Sequence, residues 1–267
     1  MKKVILLFVI LIKTSGFSQN KPSIDYFDNK GKKTSYKKSF YLEETTKIGE
    51  SLWEIKRYRK NGKLFNTRFS TTKNKKKLIG QTVNYGFNDS IVSVTFFNKQ
   101  GEKHGRALAW FEDSRSKSVE GIFKENKKEG IWKYYHSNGK LAARKIFKND
   151  SVVRGVYFDE LGSEISHNLK LCDKKAIFKK GKQKFVNQLQ YIGDKLPSLQ
   201  GKKIRVNFKV DIDGNIKHVN TDELLPIKET NIIVEYFEKI KGWSPAIVNH
   251  RRVDTYKNIT LKFNKRK

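Results

Sequence analysis

Trp132-Lys-Tyr-Tyr-His-Ser-Asn-Gly-Lys-Leu-Ala-Ala-Arg-Lys-Ile-Phe147 decides the reading of the longer part of this chain. Two strand-like runs, Trp132 to His136 and Leu141 to Phe147, flank Ser137-Asn-Gly-Lys140. Asn-Gly is the strongest short hairpin signal, because a tight two-residue turn needs positive φ at both positions. The same grammar recurs at Arg57-Tyr-Arg-Lys-Asn-Gly-Lys-Leu-Phe65 and, more loosely, at Tyr26-Phe-Asp-Asn-Lys-Gly31. A lone hairpin cannot bury its aromatic face, so neighbouring hairpins must join into one continuous sheet.

A repeat supports this. Gly80, Gly105, Gly130 and Gly155 recur every 25 residues. Tyr85, Trp110 and Tyr135 follow the first three glycines by 5 residues, and Phe97, Ile122 and Phe147 follow them by 17. Residues 20–166 are therefore expected to form an antiparallel array of β-hairpins, with Thr71 to Lys77 as a basic, solvated insertion. Lys128-Glu-Gly-Ile-Trp-Lys-Tyr-Tyr-His-Ser-Asn-Gly-Lys-Leu141 and Tyr58-Arg-Lys-Asn-Gly-Lys-Leu64 resemble MORN-type repeats of the YwqK-like variety. That resemblance implies a scaffold for membrane or protein contact. The exposed aromatics are read as sheet packing.

Beyond a connection at 167–177 the pattern changes. Phe185, Val186, Leu189, Ile192 and Leu196 follow Gly181 at helical spacing and stop at Pro197. Ile204, Val206, Phe208, Val210 and Ile212 alternate with polar residues, which predicts a half-buried strand with its turn at Asp213-Gly214. A second strand runs through Ile216 and Val219, whose uneven spacing predicts a bulge. Ile232, Ile233, Tyr236, Phe237 and Ile240 mark a second helix, with Gly242 past its end. Ile259, Thr260, Leu261, Lys262 and Phe263 form a last alternating strand. Helix–strand–strand–helix–strand implies a small α+β unit over 178–267, with its helices packed on an antiparallel sheet.

Val210-Asp-Ile-Asp-Gly-Asn-Ile216, Trp243-Ser-Pro-Ala246, Arg252-Val253 and Phe263 are similar to the C-terminal domain of the TonB family, over about a third of the chain. The resemblance makes Asp211, Asp213, Gly214, Trp243 and Pro245 the structural motif, with Trp243 anchoring a core corner. It implies transfer of force to outer-membrane transporters, and recognition of a partner's extended peptide by strand addition at Ile259 to Phe263. The chain holds four prolines, three of them within this module, so it has no proline-rich spacer of the kind a transducer uses to cross the periplasm. The domain is thus expected to serve as a binding module.

Lys2 and Lys3, the apolar run Val4 to Ile12 and the small, polar stretch Thr14 to Gln19 read as an export signal over 1–19. Retention of that segment as an anchor is the alternative. One cysteine, Cys172, allows no internal disulfide. The net charge of +30 would suggest nucleic acid in another compartment. On an exported protein it points to anionic lipid, lipopolysaccharide or peptidoglycan as the counter-surface, and nucleic acid is not expected. The five histidines have no metal-ligand spacing, and Asp211-Ile-Asp-Gly-Asn215 is read as a hairpin turn over a calcium loop. No nucleophile elbow or nucleotide-binding glycine motif is present. No cofactor, no metal and no catalytic activity are expected. The partners expected are an envelope protein, by resemblance an outer-membrane receptor, or else an anionic envelope polymer bound by the array.

Overall fold

A computed structural model describes residues 21–166 and 173–263. The expected export segment 1–19 and Cys172 lie outside the described residues. Among the described residues antiparallel strands dominate, with two α-helices, and neither helix is long and apolar enough to cross a membrane.

Twelve strands follow one another in space in the order in which they occur in the chain. They are β1 (Ser23–Phe27), β2 (Tyr41–Gly49), β3 (Leu52–Arg59), β4 (Leu64–Ser70), β5 (Leu78–Tyr85) and β6 (Ile91–Phe97), then β7 (Lys103–Trp110), β8 (Lys117–Lys124), β9 (Lys127–Tyr135), β10 (Leu141–Lys148), β11 (Ser151–Phe158) and β12 (Glu164–Ile165). Local turn chemistry produces this meander. Asp28, Asn98 and Asp159 each open a five-residue turn, and one side-chain oxygen accepts the backbone N–H groups two and four residues later. At the sheet end that carries the Asn98 turn, Glu125-Asn126 and Asn149-Asp150 have positive φ at both positions, as two-residue hairpin turns require.

The repeat has a physical basis, with two corrections. Gly80, Gly105 and Gly130 have positive φ and stand opposite Phe97, Phe123 and Phe147 on the next strand. The middle unit is one residue longer than the period, so Phe123 fills the place expected of Ile122, which is half exposed on the other face. Gly155 has no left-handed backbone and lies beneath the Tyr157 ring.

One cross-strand row spans all twelve strands: Asp25, Glu43, Arg57, Asn66, Asn84, Ser93, Ala109, Val119, Tyr134, Ala143, Tyr157 and Ile165. Its second half is apolar. There Trp132, Tyr134, Phe147 and Tyr157 are buried, and the Lys128 ammonium lies 4.7 Å over Trp132 and 5.0 Å over Phe147. Its first half is polar and hydrogen-bonded. Asn66 donates to Asn84 at 2.9 Å, Asn84 donates to Ser93 at 2.8 Å, and Arg57 donates to the buried Glu43 carboxylate at 2.6 Å.

Thr71 to Lys77 is not simply a solvated loop. Lys75, at positive φ, folds back to place its ammonium 2.7 Å from Glu43. A buried carboxylate needs such partners, and this insertion supplies one.

The remainder forms a second layered unit. β13 (Asp173–Lys174) and β14 (Ile177–Phe178) precede α1 (Lys182–Lys195), β15 (Lys203–Val210), β16 (Ile216–Thr221) and α2 (Ile227–Lys239). β17 (Trp243–Ser244), β18 (Ala246–Val248), β19 (Arg251–Val253) and β20 (Thr255–Lys262) follow. β13 pairs with β18 and β14 with β17, so residues at the end of the expected connection are structured with this unit. Phe185, Leu189 and Ile192 of α1, and Ile233 and Phe237 of α2, pack on Ile204, Val206, Phe208 and Val210 of β15. The two helices thus cover one face of the sheet β16-β15-β20.

Candidate functional site

β20 is an edge strand. Its full length pairs with β15, and among the described residues no strand lies on its other side. The Phe263 N–H donates to the Lys202 carbonyl, and the Gly201 N–H donates to the Phe263 carbonyl. Backbone groups alternate in direction along a strand. Those of Ile259 and Leu261 therefore also turn toward β15, and those of Asn258, Thr260 and Lys262 turn outward. Leu261 and Phe263 are buried and Ile259 packs against the core, whereas Thr260 and Lys262 are exposed. The five residues expected at the edge thus divide into a core set and a free set.

The turn beside this sheet is built like those of the array. The Asp211 carboxylate accepts the N–H groups of Asp213 at 3.0 Å and Asn215 at 2.8 Å. Gly214 has φ +81°, and a Cβ there would lie 2.3 Å from the Trp243 carbonyl oxygen. Trp243 meets Phe178, Phe185 and Phe208 edge-on at 5.8, 5.1 and 5.7 Å, with Pro245 next to it holding the approach to Gly214. Asp211, Gly214, Trp243 and Pro245 thus close one corner. Asp213 contributes its backbone N–H to that turn.

The opposite face of this sheet is covered by the array, which the alternating pattern of β15 does not indicate. Lys209 belongs to the polar series of that strand yet is fully buried. Its ammonium lies 3.1 Å from Glu112, 3.3 Å from Asp113 and 3.4 Å from Asp254. Burial pushes the Lys209 pKa down, but the carboxylates of Asp254, Glu112 and Asp113 outweigh it and raise the pKa above the ordinary lysine value. Burial likewise raises Glu112, and Lys209 with the Phe87 N–H pulls it below the usual carboxylate range. Glu112, Asp113 and His218 each present one ligand atom within 4.8 Å of the others. Lys209 already supplies positive charge between the two carboxylates, so the cluster is an ion-paired junction.

Further contacts extend the junction. The expected bulge is present: Asn207 pairs with Asn220 and Lys209 with Lys217, which leaves an extra residue in β16 at His218, where φ is +55°. The bulge turns His218 onto Phe87, stacked at 4.8 Å, and burial lowers its pKa. Arg59 covers Phe87 at 4.2 Å. Arg251 is buried over Phe111 and Tyr134 and donates to the Ser118 carbonyl, the Ser118 hydroxyl and the Tyr135 carbonyl at 2.7, 2.8 and 3.0 Å. Burial lowers the Arg251 pKa to about 10. Tyr256, at the start of β20, donates to Glu112 at 3.2 Å.

Strands β18 and β19, which carry Arg251 and lie outside the sequence expectation, form a hairpin on Asn249-His250, both at positive φ. The signal is Asn249 directly after the apolar run Ala246 to Val248, with histidine in the place of the usual glycine.

No family model matches this chain, and no curated protein matches it by sequence.

Proposed function

We propose that this chain is an exported cell-envelope protein whose TonB-like C-terminal unit binds a partner protein by strand addition at β20, on a MORN-like array that serves as its rigid base. The observation that carries this reading is the open β20 edge, with outward backbone groups at Asn258, Thr260 and Lys262. Main-chain hydrogen bonds would supply affinity, and the side chains beside them selectivity. The junction supports it, because Lys209, Arg251 and Tyr256 fasten the unit to the array and leave the outer half of β20 uncovered. The partner class is an outer-membrane receptor or another envelope protein offering an extended segment. No catalytic step, metal or cofactor is assigned.

The test is titration of the full chain with extended peptides from outer-membrane receptors. Thr260→Pro should abolish binding while the fold persists, since it removes an outward N–H only. Undiminished binding by that variant would discard the reading. A salt series separates strand addition, which should largely survive, from attachment to an anionic polymer, which should collapse.

A further inference from the structure

The polar half of the cross-strand row is a second site, independent of β20. Glu43 is 1% exposed and holds three cations: Arg57 at 2.6 Å, Arg68 at 2.9 Å and Lys75 at 2.7 Å. Asp25 beside it takes Lys33 at 2.8 Å and shares Lys75 at 3.4 Å. These contacts fix two guanidinium groups and an ammonium on the floor of an open cleft of about 790 Å³. A volume of that order suits a small ligand and greatly exceeds a single ion.

The cleft has more positive charge than its own acids neutralise. Seven Lys and Arg side chains line it against Asp25 and Glu43 alone. Lys21, Lys47 and Lys73 stand at its rim with no carboxylate of the described residues within 4.0 Å. A guanidinium carries five N–H donors. Arg57 and Arg68 each give one hydrogen bond to Glu43, and no other hydrogen bond from either is present among the described residues. The Thr45 hydroxyl, also in the wall, is buried without a hydrogen-bond partner among the described residues. Trp53 and Phe27 add apolar wall.

From this arrangement we infer that the cleft formed by β1 to β4 and the Thr71–Lys77 loop binds a phosphate ester of about sugar-phosphate size. Glu43 takes a single N–H from each guanidinium, both on Oε2, and so leaves most of their donors unused. The remaining donors come from several strands as separate points, which suits a tetrahedral, multiply charged anion better than a planar carboxylate. The aromatic wall suits the body of an ester over a bare ion. Preorganisation by Glu43 distinguishes this cleft from the lysines spread elsewhere, which need no common ligand. The ester can be free or carried on a lipid, and the experiment separates the two.

Calorimetric titration of the full chain with glucose 6-phosphate, with glucose, and with vesicles containing phosphatidic acid provides the test. Saturable binding of glucose 6-phosphate and none of glucose is expected for a free ester; binding to the vesicles alone assigns the phosphate to a lipid. In either case Lys47→Gln with Lys73→Gln should weaken binding at least 10-fold at an unchanged thermal midpoint, because both residues are exposed and lie outside the Glu43 contacts. Lys127→Gln with Lys148→Gln removes the same charge from distant exposed positions and should change affinity less than 2-fold. Equal loss in the two double variants, equal binding of glucose, or no saturable binding in any arm overturns the inference.

Discussion

The Lys209 ammonium lies 3.1 Å from Oε2 of Glu112, a residue 97 positions earlier in the chain. Lys209 is fully buried and Glu112 is 3% exposed, so this pair joins the two units without solvent between them. Removing one partner of a buried pair leaves the other charge uncompensated, at about 3–5 kcal/mol. Lys209→Met is therefore expected to lower unfolding stability by that amount in urea. The double variant with Glu112→Gln should lose less than the two single losses added, because each removes a charge the other no longer needs. Additive losses would mean that the two residues do not interact.

Acid should weaken the protein in a defined direction. Glu43, Glu112 and Asp211 are ion-paired or hydrogen-bonded, and their pKa values lie below the ordinary carboxylate value despite burial. Glu120, held chiefly by Lys117, is lowered from 4.5 to about 2. A carboxylate depressed on folding contributes stability above its unfolded pKa and loses it as pH falls through its folded pKa. Asp254, Asp222 and Glu223 are raised by burial and act with the opposite sign, gaining as pH falls. The depressed group is the more numerous, so urea midpoints should fall from pH 5 toward pH 2. Glu120→Gln should flatten the lower part of that descent, from 4.5 to about 2. A parallel curve for this variant would contradict the assignment.

The glycines separate two physical causes. Gly130 has φ +66° with open space at its Cβ, so Gly130→Ala carries only the left-handed backbone cost, about 1–2 kcal/mol. Gly121 has ordinary backbone, but a Cβ would lie 2.2 Å from the Trp132 ring. Gly214 combines φ +81° with a 2.3 Å overlap against the Trp243 carbonyl. Gly214→Ala should thus cost the most, about 3 kcal/mol or more from strain and overlap together. Chemical denaturation of the three variants gives the ranking, and Gly214→Ala no worse than Gly130→Ala would refute it.

The hairpins of the array and the two helices were legible in the sequence because their causes are local: the Asn138-Gly139 turn, which takes positive φ at Gly139 alone and not at both positions as expected, the helical spacing from Phe185 to Leu196, the alternation from Ile204 to Val210. The bulge in β16 was legible for the same reason. Lys209 was not, since an alternating strand assigns a lysine to solvent and only the distant Glu112 and Asp113 turn that face into an interface. Lys75 is likewise not legible, because its partner Glu43 lies 32 residues away. The one-residue slip from Ile122 to Phe123 shows a period counted in sequence yielding to strand register.

Neighbouring prolines on β20 discriminate its two sides. The Ile259 N–H turns toward β15, within a register that pairs Ile259 with Val206. Ile259→Pro removes that ladder bond and leaves a carbonyl of β15 short of its donor, at about 1–3 kcal/mol. The Thr260 N–H turns outward and Thr260 is exposed, so Thr260→Pro keeps the ladder and should change stability by less than about 1 kcal/mol. Hydrogen exchange gives an independent check: the amides of Ile259 and Leu261 should be protected in the isolated protein, and those of Asn258 and Thr260 should exchange quickly until a peptide partner is added. Slow exchange at Thr260 without a partner would mean that its side of the strand is already paired, and would remove the edge on which strand addition depends.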